Sequence, residues 1–285
     1  MTQILIQGLL LSGLYALIAM GFTLIFSVGR VLNLAYGAYL MLGGYAFFWI
    51  SQELGAPKIL GVAAAAAMGA VLGLIKYYGI VRTLKGNHVA IEISTLILAV
   101  VIQAAVVLVF GDSSKILLPI VDGTWTIAEG LLPVSFSNLT AAITSWLILI
   151  GLWLFVTRTH TGRAIQAVSM DEKGAAISGV DPDRMNLIVW TLSGALGAVA
   201  GVFFASYTQL YPGMWVAPLI ISVAVVIVGG IGSIWGTLIV AHIIGFMEVI
   251  STAWIAAELR GVFTMALIIL VLVVRPRGIF GRAEL

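Results

Sequence analysis

The sequence predicts an all-α polytopic membrane protein with about 8–9 transmembrane helices and one charged cytoplasmic helical insert. Of its 285 residues 61% are apolar and the mean hydropathy is +1.15, against roughly 45–50% apolar in soluble domains. Several apolar runs approach or exceed the roughly 18–20 residues a helix needs to cross about 30 Å of hydrocarbon. Charged residues make up only 9% of the chain, and most of them fall between those runs. Without cysteine there is no disulfide, thiolate metal site or Cys nucleophile. A net charge of +2 gives no footprint for nucleic acid.

The runs in order are 4–26, 32–50, 59–78, 91–110, 139–156, 187–208, 217–231, 236–255 and 261–274. The first has no basic residues before it and is longer than a signal-peptide core, so it reads as a retained span. The seventh, "APLIISVAVVIVGGIG", is short and ends in glycines, which fits a tilted span or a re-entrant segment. Cytoplasmic loops accumulate Lys and Arg. Lys76, Arg82 and Lys85, then Arg158, Arg163, Lys173 and Arg184, then Arg275, Arg277 and Arg282 account for ten of the 14 basic residues. Placing all three groups inside makes every run cross and puts the N-terminus outside.

Between the fourth and fifth runs, external loop 111–138 holds Asp122-Gly123 flanked by β-prone residues, a strong local signal for a hairpin turn. Ser193, Gly197, Gly201 and Ala205 recur every fourth residue, as do Gly61, Ala65, Gly69 and Gly73. Such rows let helix backbones approach closely within a membrane. The glycine-rich stretches around residues 29–44 and 229–236 fit either discontinuous helices or turns between spans. Few polar residues fall within runs: Gln103, His242 and Glu248, with Asn33, Lys76 and Glu92 nearer the ends. His242 and Glu248 are about 240° apart on a helix and share no face.

Chemical motifs are missing as well. There is no phosphate-cradling G-x-x-x-x-G-K-[ST], no H-E-x-x-H and no nucleophile elbow, and the three histidines are scattered. The chain reads as no enzyme, with no catalytic residue, metal ligand or cofactor of its own.

The insert at 161–184 carries seven charged residues. Thr161 is placed to cap a helix over 162–170. Asp171 is placed to cap a second helix that ends at Gly179, a residue suited to the left-handed turn after a helix. Asp181-Pro182 pairs an N-cap acid with proline at the first helical position.

These residues carry a resemblance. "TGRAIQAVSMDEKGAAISGVDPDRMNLIVWTLSGALGAVAG", the early "GLYALIAMGFTLIFSVGRVLNLAYGAYLMLGGY", the late "VVIVGGIGSIWGTLIV" and the closing "RPRGIFG" resemble, in order, the LivH-type membrane subunits of branched-chain amino-acid ABC importers. The resemblance implies a single permease domain over 1–285 in the cytoplasmic (inner) membrane, with a coupling loop at about 157–186. It implies two ATP-binding partner subunits that hold ATP and Mg, a second, paralogous permease subunit and an extracytoplasmic solute-binding protein. Asp171, Glu172, Lys173, Ala175, Ala176 and Gly179 would couple to the ATPase; Lys173 and Gly174 replace the Glu and Ala of the broad coupling signature. Asn33, Tyr36 and Gln103 are the expected path residues, with Tyr36 where many relatives carry His. The expected cargo is a branched-chain or other small neutral amino acid. Urea or short amides are the alternative, and an ion-coupled secondary transporter is disfavoured by the scarcity of acids within the runs.

Overall fold

The computed structural model describes residues 2–127, 132–230, 232–254, 261–275 and 278–280. Its helices are α1 Thr2–Gly29, α2 Tyr36–Phe47, α3 Lys58–Lys76, α4 His88–Phe110, α5 Phe136–Arg158, α6 His160–Met170, α7 Glu172–Ile177, α8 Pro182–Tyr207, α9 Val216–Gly229, α10 Ile234–Trp254 and α11 Val262–Val274. π-Turns Phe48–Glu53 and Tyr77–Val81 prolong α2 and α3, and strands β1 Thr124–Ile127 and β2 Leu132–Ser135 pair antiparallel. Among the described residues, six helices (α1, α3 with its π-turn, α4, α5, α8 and α10) are long and apolar enough to cross a membrane; α9 and α11 are shorter.

The bundle has two ends. At one, Lys85 bonds Asp183, Arg30 reaches the Met170 carbonyl, and the Ile279 N–H bonds Val228. The described members of the three basic groups other than Lys76 gather at this end; Lys76, expected in the loop, is instead buried on the inner face of α3 within the span, and Arg277 and Arg282 lie outside the described residues. At the other, Lys58 meets Asp122, and Lys115 pairs with Leu210 through the backbone. Among the described residues, nine helical segments, the short α2, α9 and α11 included, run between these ends. The seventh does so as an irregular, turn-containing stretch, 208–215, followed by the 14-residue α9, which is why its apolar run is short for a crossing.

An inverted repeat organises the core. α1, connector 30–35, α2 and α3 are matched by α8, connector 208–215, α9 and α10, running the opposite way. The first long helix of each half packs on the last of the other. Thus Gly245 of α10 abuts Ser12 of α1, and Gly69 of α3 abuts Gly194 of α8. These two interfaces are the most extensive in the bundle. In α3 only Gly61, Ala65, Gly69, Gly73 and Lys76 are buried, so the small-residue row is its whole inner face. The α8 row lies under α1 and α2: Ser193 donates to the Gly21 carbonyl, Gly197 faces the Tyr36 ring, and Gly201 abuts Leu40. Both rows pack within the chain. α2, by contrast, is buried at every residue but Leu42, as a central helix enclosed by protein must be.

One local expectation changes, and one left open is decided. The hairpin forms, but Asp122-Gly123 is its base and not its turn: Gly123 (φ +112°) accepts from the Phe136 N–H, and the strands connect through 128–131, outside the described residues. Asp122 instead pairs with Lys58 at 3.2 Å. The glycines at 229–236 form a tight turn in which Gly229 abuts Gly236. The real interruption of the second half lies upstream, at 208–215.

Candidate functional site

Where α1 ends, the backbone leaves helical geometry inside the bundle, and its polar groups need other partners. Arg30 takes a left-handed φ of +49°. The Leu32 N–H then donates to Glu92 Oε1 (3.1 Å) and the Leu34 N–H to Thr95 Oγ1 (3.0 Å), both from α4. The Tyr36 N–H returns to the Asn33 carbonyl and starts α2. The acid at the edge of the fourth span thus holds the connector.

Tyr36 is fully buried, and its hydroxyl donates to the Ile18 carbonyl at 2.8 Å. Its ring stands edge-on to Phe22 and Tyr39. Gly21 and Gly197 make room for it, since a methyl at either position would meet the phenol. Next along α2, Gly37 abuts the Trp215 carbonyl, so the amino ends of the two short helices meet inside the bundle. The Trp215 indole N–H donates to Gln103 Oε1 at 2.7 Å. All three sequence-predicted path residues therefore border this junction: Asn33 and Tyr36 directly, Gln103 through Trp215. They do not touch one another across an open channel, because Asn33, Tyr36 and Tyr39 have no exposed surface.

Sequence reasoning did not assign Lys76 to this site. It is 2% exposed, donates to Asn33 Oδ1, and its amino group sits over the rings of Trp190 (5.0 Å) and Tyr39 (5.3 Å). The signal was present: Lys76 follows Gly73 by three residues, on the face of the glycine row.

At the basic end, the insert folds as two capped helices. Thr159, not Thr161, caps α6 by accepting from the Gly162 N–H (2.9 Å). Asp171 caps α7 by accepting from Lys173 (3.0 Å). Gly179 (φ +87°) closes it: its N–H bonds Ala176, and the Val180 N–H reaches back to Ala175, a Schellman stop. Asp181 then accepts from Asp183 and Arg184, with Pro182 at the first position of α8. Of the expected coupling residues, Asp171 is spent as a cap and Glu172 faces Lys85 at 3.4 Å. Ala175 is 6% exposed and lies beneath the helix. Lys173, Ala176 and Gly179 face outward, joined by Ile177 at 89% exposure and Met170 at 62%. Lys85 keeps its proton above its ordinary 10.5, chiefly through its hydrogen bond to Asp183, with the charges of Asp183 and Glu172 adding.

Residues 4–272 match the family model described as "Branched-chain amino acid transport system / permease component". The chain is 30% identical to the high-affinity branched-chain amino acid transport system permease protein LivH of Escherichia coli (strain K12), covering 99% of this chain and 96% of the relative. It is 29% identical to the corresponding permease BraD of Pseudomonas aeruginosa, with 99% and 96% covered. With the ribose import permease RbsC of E. coli K12 it shares 27% over 82% of this chain and 73% of the relative. No solved structure matches significantly. The chain belongs to the family of branched-chain amino acid transport system permease components, multi-pass inner-membrane subunits of ABC importers that work with ATPase and binding-protein partners.

Proposed function

We propose that this chain, as one permease domain over 1–285, carries branched-chain or other small neutral amino acids across the cytoplasmic membrane and is driven through α7. The observation that carries the reading is a short helix fixed at both ends by hydrogen bonds that leaves Ile177 89% exposed at the basic end. Covering such a side chain is worth about 1.5–3 kcal/mol, so a partner surface gains from it what the chain alone does not.

In this reading two ATP-binding subunits supply ATP and Mg, one docking on the coupling loop (about 157–186) of this chain and one on a second, paralogous permease. A solute-binding protein delivers cargo at the opposite end, beside external loop 111–138. Two ties carry movement of α7 inward. Met170, at its start, accepts from Arg30 of the connector at 3.5 Å, and Glu172 and Asp183 hold Lys85 of the α3–α4 link. Pushing on α7 therefore loads both the broken helix and the helices that brace it. Direction requires the ATP-closed partners to favour one state of the bundle, since equal affinity for both shifts nothing.

The reading is tested by purifying the full system in mild detergent and identifying the companions. ATPase subunits are expected with the wild-type chain and absent with Ile177→Asp at unchanged membrane insertion. Retention of those subunits by the variant would remove α7 as the contact.

A further inference from the structure

The cluster around Lys76 holds more donors than acceptors: Asn33 Oδ1 serves the lysine, while the Asn33 amide N–H groups and the Trp190 indole N–H go without a partner among the described residues, as does the Tyr39 hydroxyl. Lys76 sits in the membrane-spanning core with no carboxylate within 4.0 Å among the described residues. Its hydrogen bond is to the neutral amide oxygen of Asn33. The same amide's nitrogen, fully buried, lies beside the Tyr39 hydroxyl outside hydrogen-bonding geometry. The Trp190 indole N–H, also fully buried, is unpartnered and faces Gly29 at the start of the connector. A buried polar group without a partner costs about 1–3 kcal/mol, more when charged.

The missing piece is an acceptor with negative charge. The amino end of α2 begins three residues after Asn33; its Tyr36 and Ala38 N–H groups are already bonded to the connector, so what it adds is the helix dipole, which favours negative charge there. The aromatic faces of Tyr39 and Trp190 stabilise the cation but cannot accept from it along a lone pair. The flanking acid, Glu92, is occupied by the Leu32 N–H. Asn33 also lies on the connector tied through Arg30 to the loop before α7, so its distance from Lys76 changes whenever that connector moves.

We propose that Lys76 and Asn33, with the Trp190 N–H beside them, form a transient binding site for the carboxylate of a zwitterionic solute on its way through the bundle. The inference rests on the amino-acid reading above and adds to it the group that recognises the acidic half of the cargo. In the closed bundle Asn33 occupies the lysine. When the connector shifts, the solute carboxylate replaces the amide oxygen and supplies the counter-charge.

The test uses the purified full-length chain and four probes: L-leucine, L-leucinol (the same ammonium and side chain without the carboxylate), sodium acetate and sodium chloride. Ligand that binds the folded state raises the unfolding temperature. Leucine and acetate are expected to raise it, with leucinol and chloride doing so only at much higher concentration. Lys76→Met is expected to weaken leucine binding by at least about tenfold, the loss of one charge-assisted hydrogen bond. Asn33→Asp supplies a built-in carboxylate. It is expected to fold at least as stably and to lose leucine binding to a similar extent, whereas a purely structural role for the pair would be preserved by this change.

Equal binding of leucinol and leucine, chloride as effective as leucine, unaltered leucine binding by Asn33→Asp, or no binding to the wild-type chain would each overturn the site. Uptake by cells carrying the complete system separates the two levels. Leucine uptake alongside any of those results removes the cluster and leaves the transport reading intact. A complete system that takes up no small neutral amino acid removes the transport reading itself.

Discussion

Gly69 of α3 and Gly194 of α8 lie face to face, each so close to the other's carbonyl that a Cβ on either would overlap it. Helix association in lipid depends on such packing, because apolar side chains gain little from leaving one apolar medium for another. Replacing Gly194 with Val should cost at least about 1–3 kcal/mol through overpacking and separate the two halves of the repeat. Thermal unfolding in detergent measures it; an unchanged transition would contradict this crossing.

Tyr36→Phe keeps the ring that fills the space beside Gly21 and Gly197 and removes the hydroxyl bonded to the Ile18 carbonyl. The expected loss is about 0.5–1.5 kcal/mol, with the helix content retained. A much larger loss, seen as partial unfolding by circular dichroism, would mean that the hydroxyl organises more of the core than one bond to α1.

On α7 two neighbouring substitutions should separate folding from docking. Ala175→Trp puts a large ring where the side chain is already covered, so it should destabilise the loop itself. Ile177→Asp alters a side chain 89% exposed and should leave the free energy of unfolding within about 0.5 kcal/mol of wild type, with uptake lost. The reverse pattern would mean that α7 presents its other face.

The link between Lys85 and α7 has a defined pH response. Because the folded-state value of Lys85 is raised above 10.5, its contribution is fully present below that value and fades as pH rises through the higher folded one. Amide exchange corrected for intrinsic rate should therefore show constant protection over 172–185 between about pH 7 and 9, with loss only under strongly alkaline conditions. With both partners about half exposed, Lys85→Ala should cost no more than about 1 kcal/mol. Loss of protection near neutrality would contradict the pairing.

Much of this was legible in the sequence because the relevant physics is local. The nine apolar runs, the glycine rows and the stops around α7 each follow from residues a few positions apart; Asp171, Gly179 and Asp181-Pro182 act as their types dictate. Thr159 was missed because Thr161 is an equally good cap by type, and only backbone geometry decides between them. The inverted repeat was not visible, because the two halves match in element order and helix pairing and not in residues: connector 30–35 contains Asn33, whereas 208–215 contains Pro212 and Trp215. Gln103 was recognisable as an unusual polar residue, but its partner Trp215 lies 112 positions away and is set by tertiary packing alone. Lys76 reads in the sequence as one of the basic residues that mark the cytoplasmic side, and only the packing of α3 turns it inward.

The most direct test of the account is solute accumulation in vesicles containing the chain with its complete set of companions. Uphill uptake is expected with ATP on the side of α7, and none is expected without ATP or with Ile177→Asp. Concentration of leucine by the chain alone, without any nucleotide-consuming companion, would contradict the account at its root.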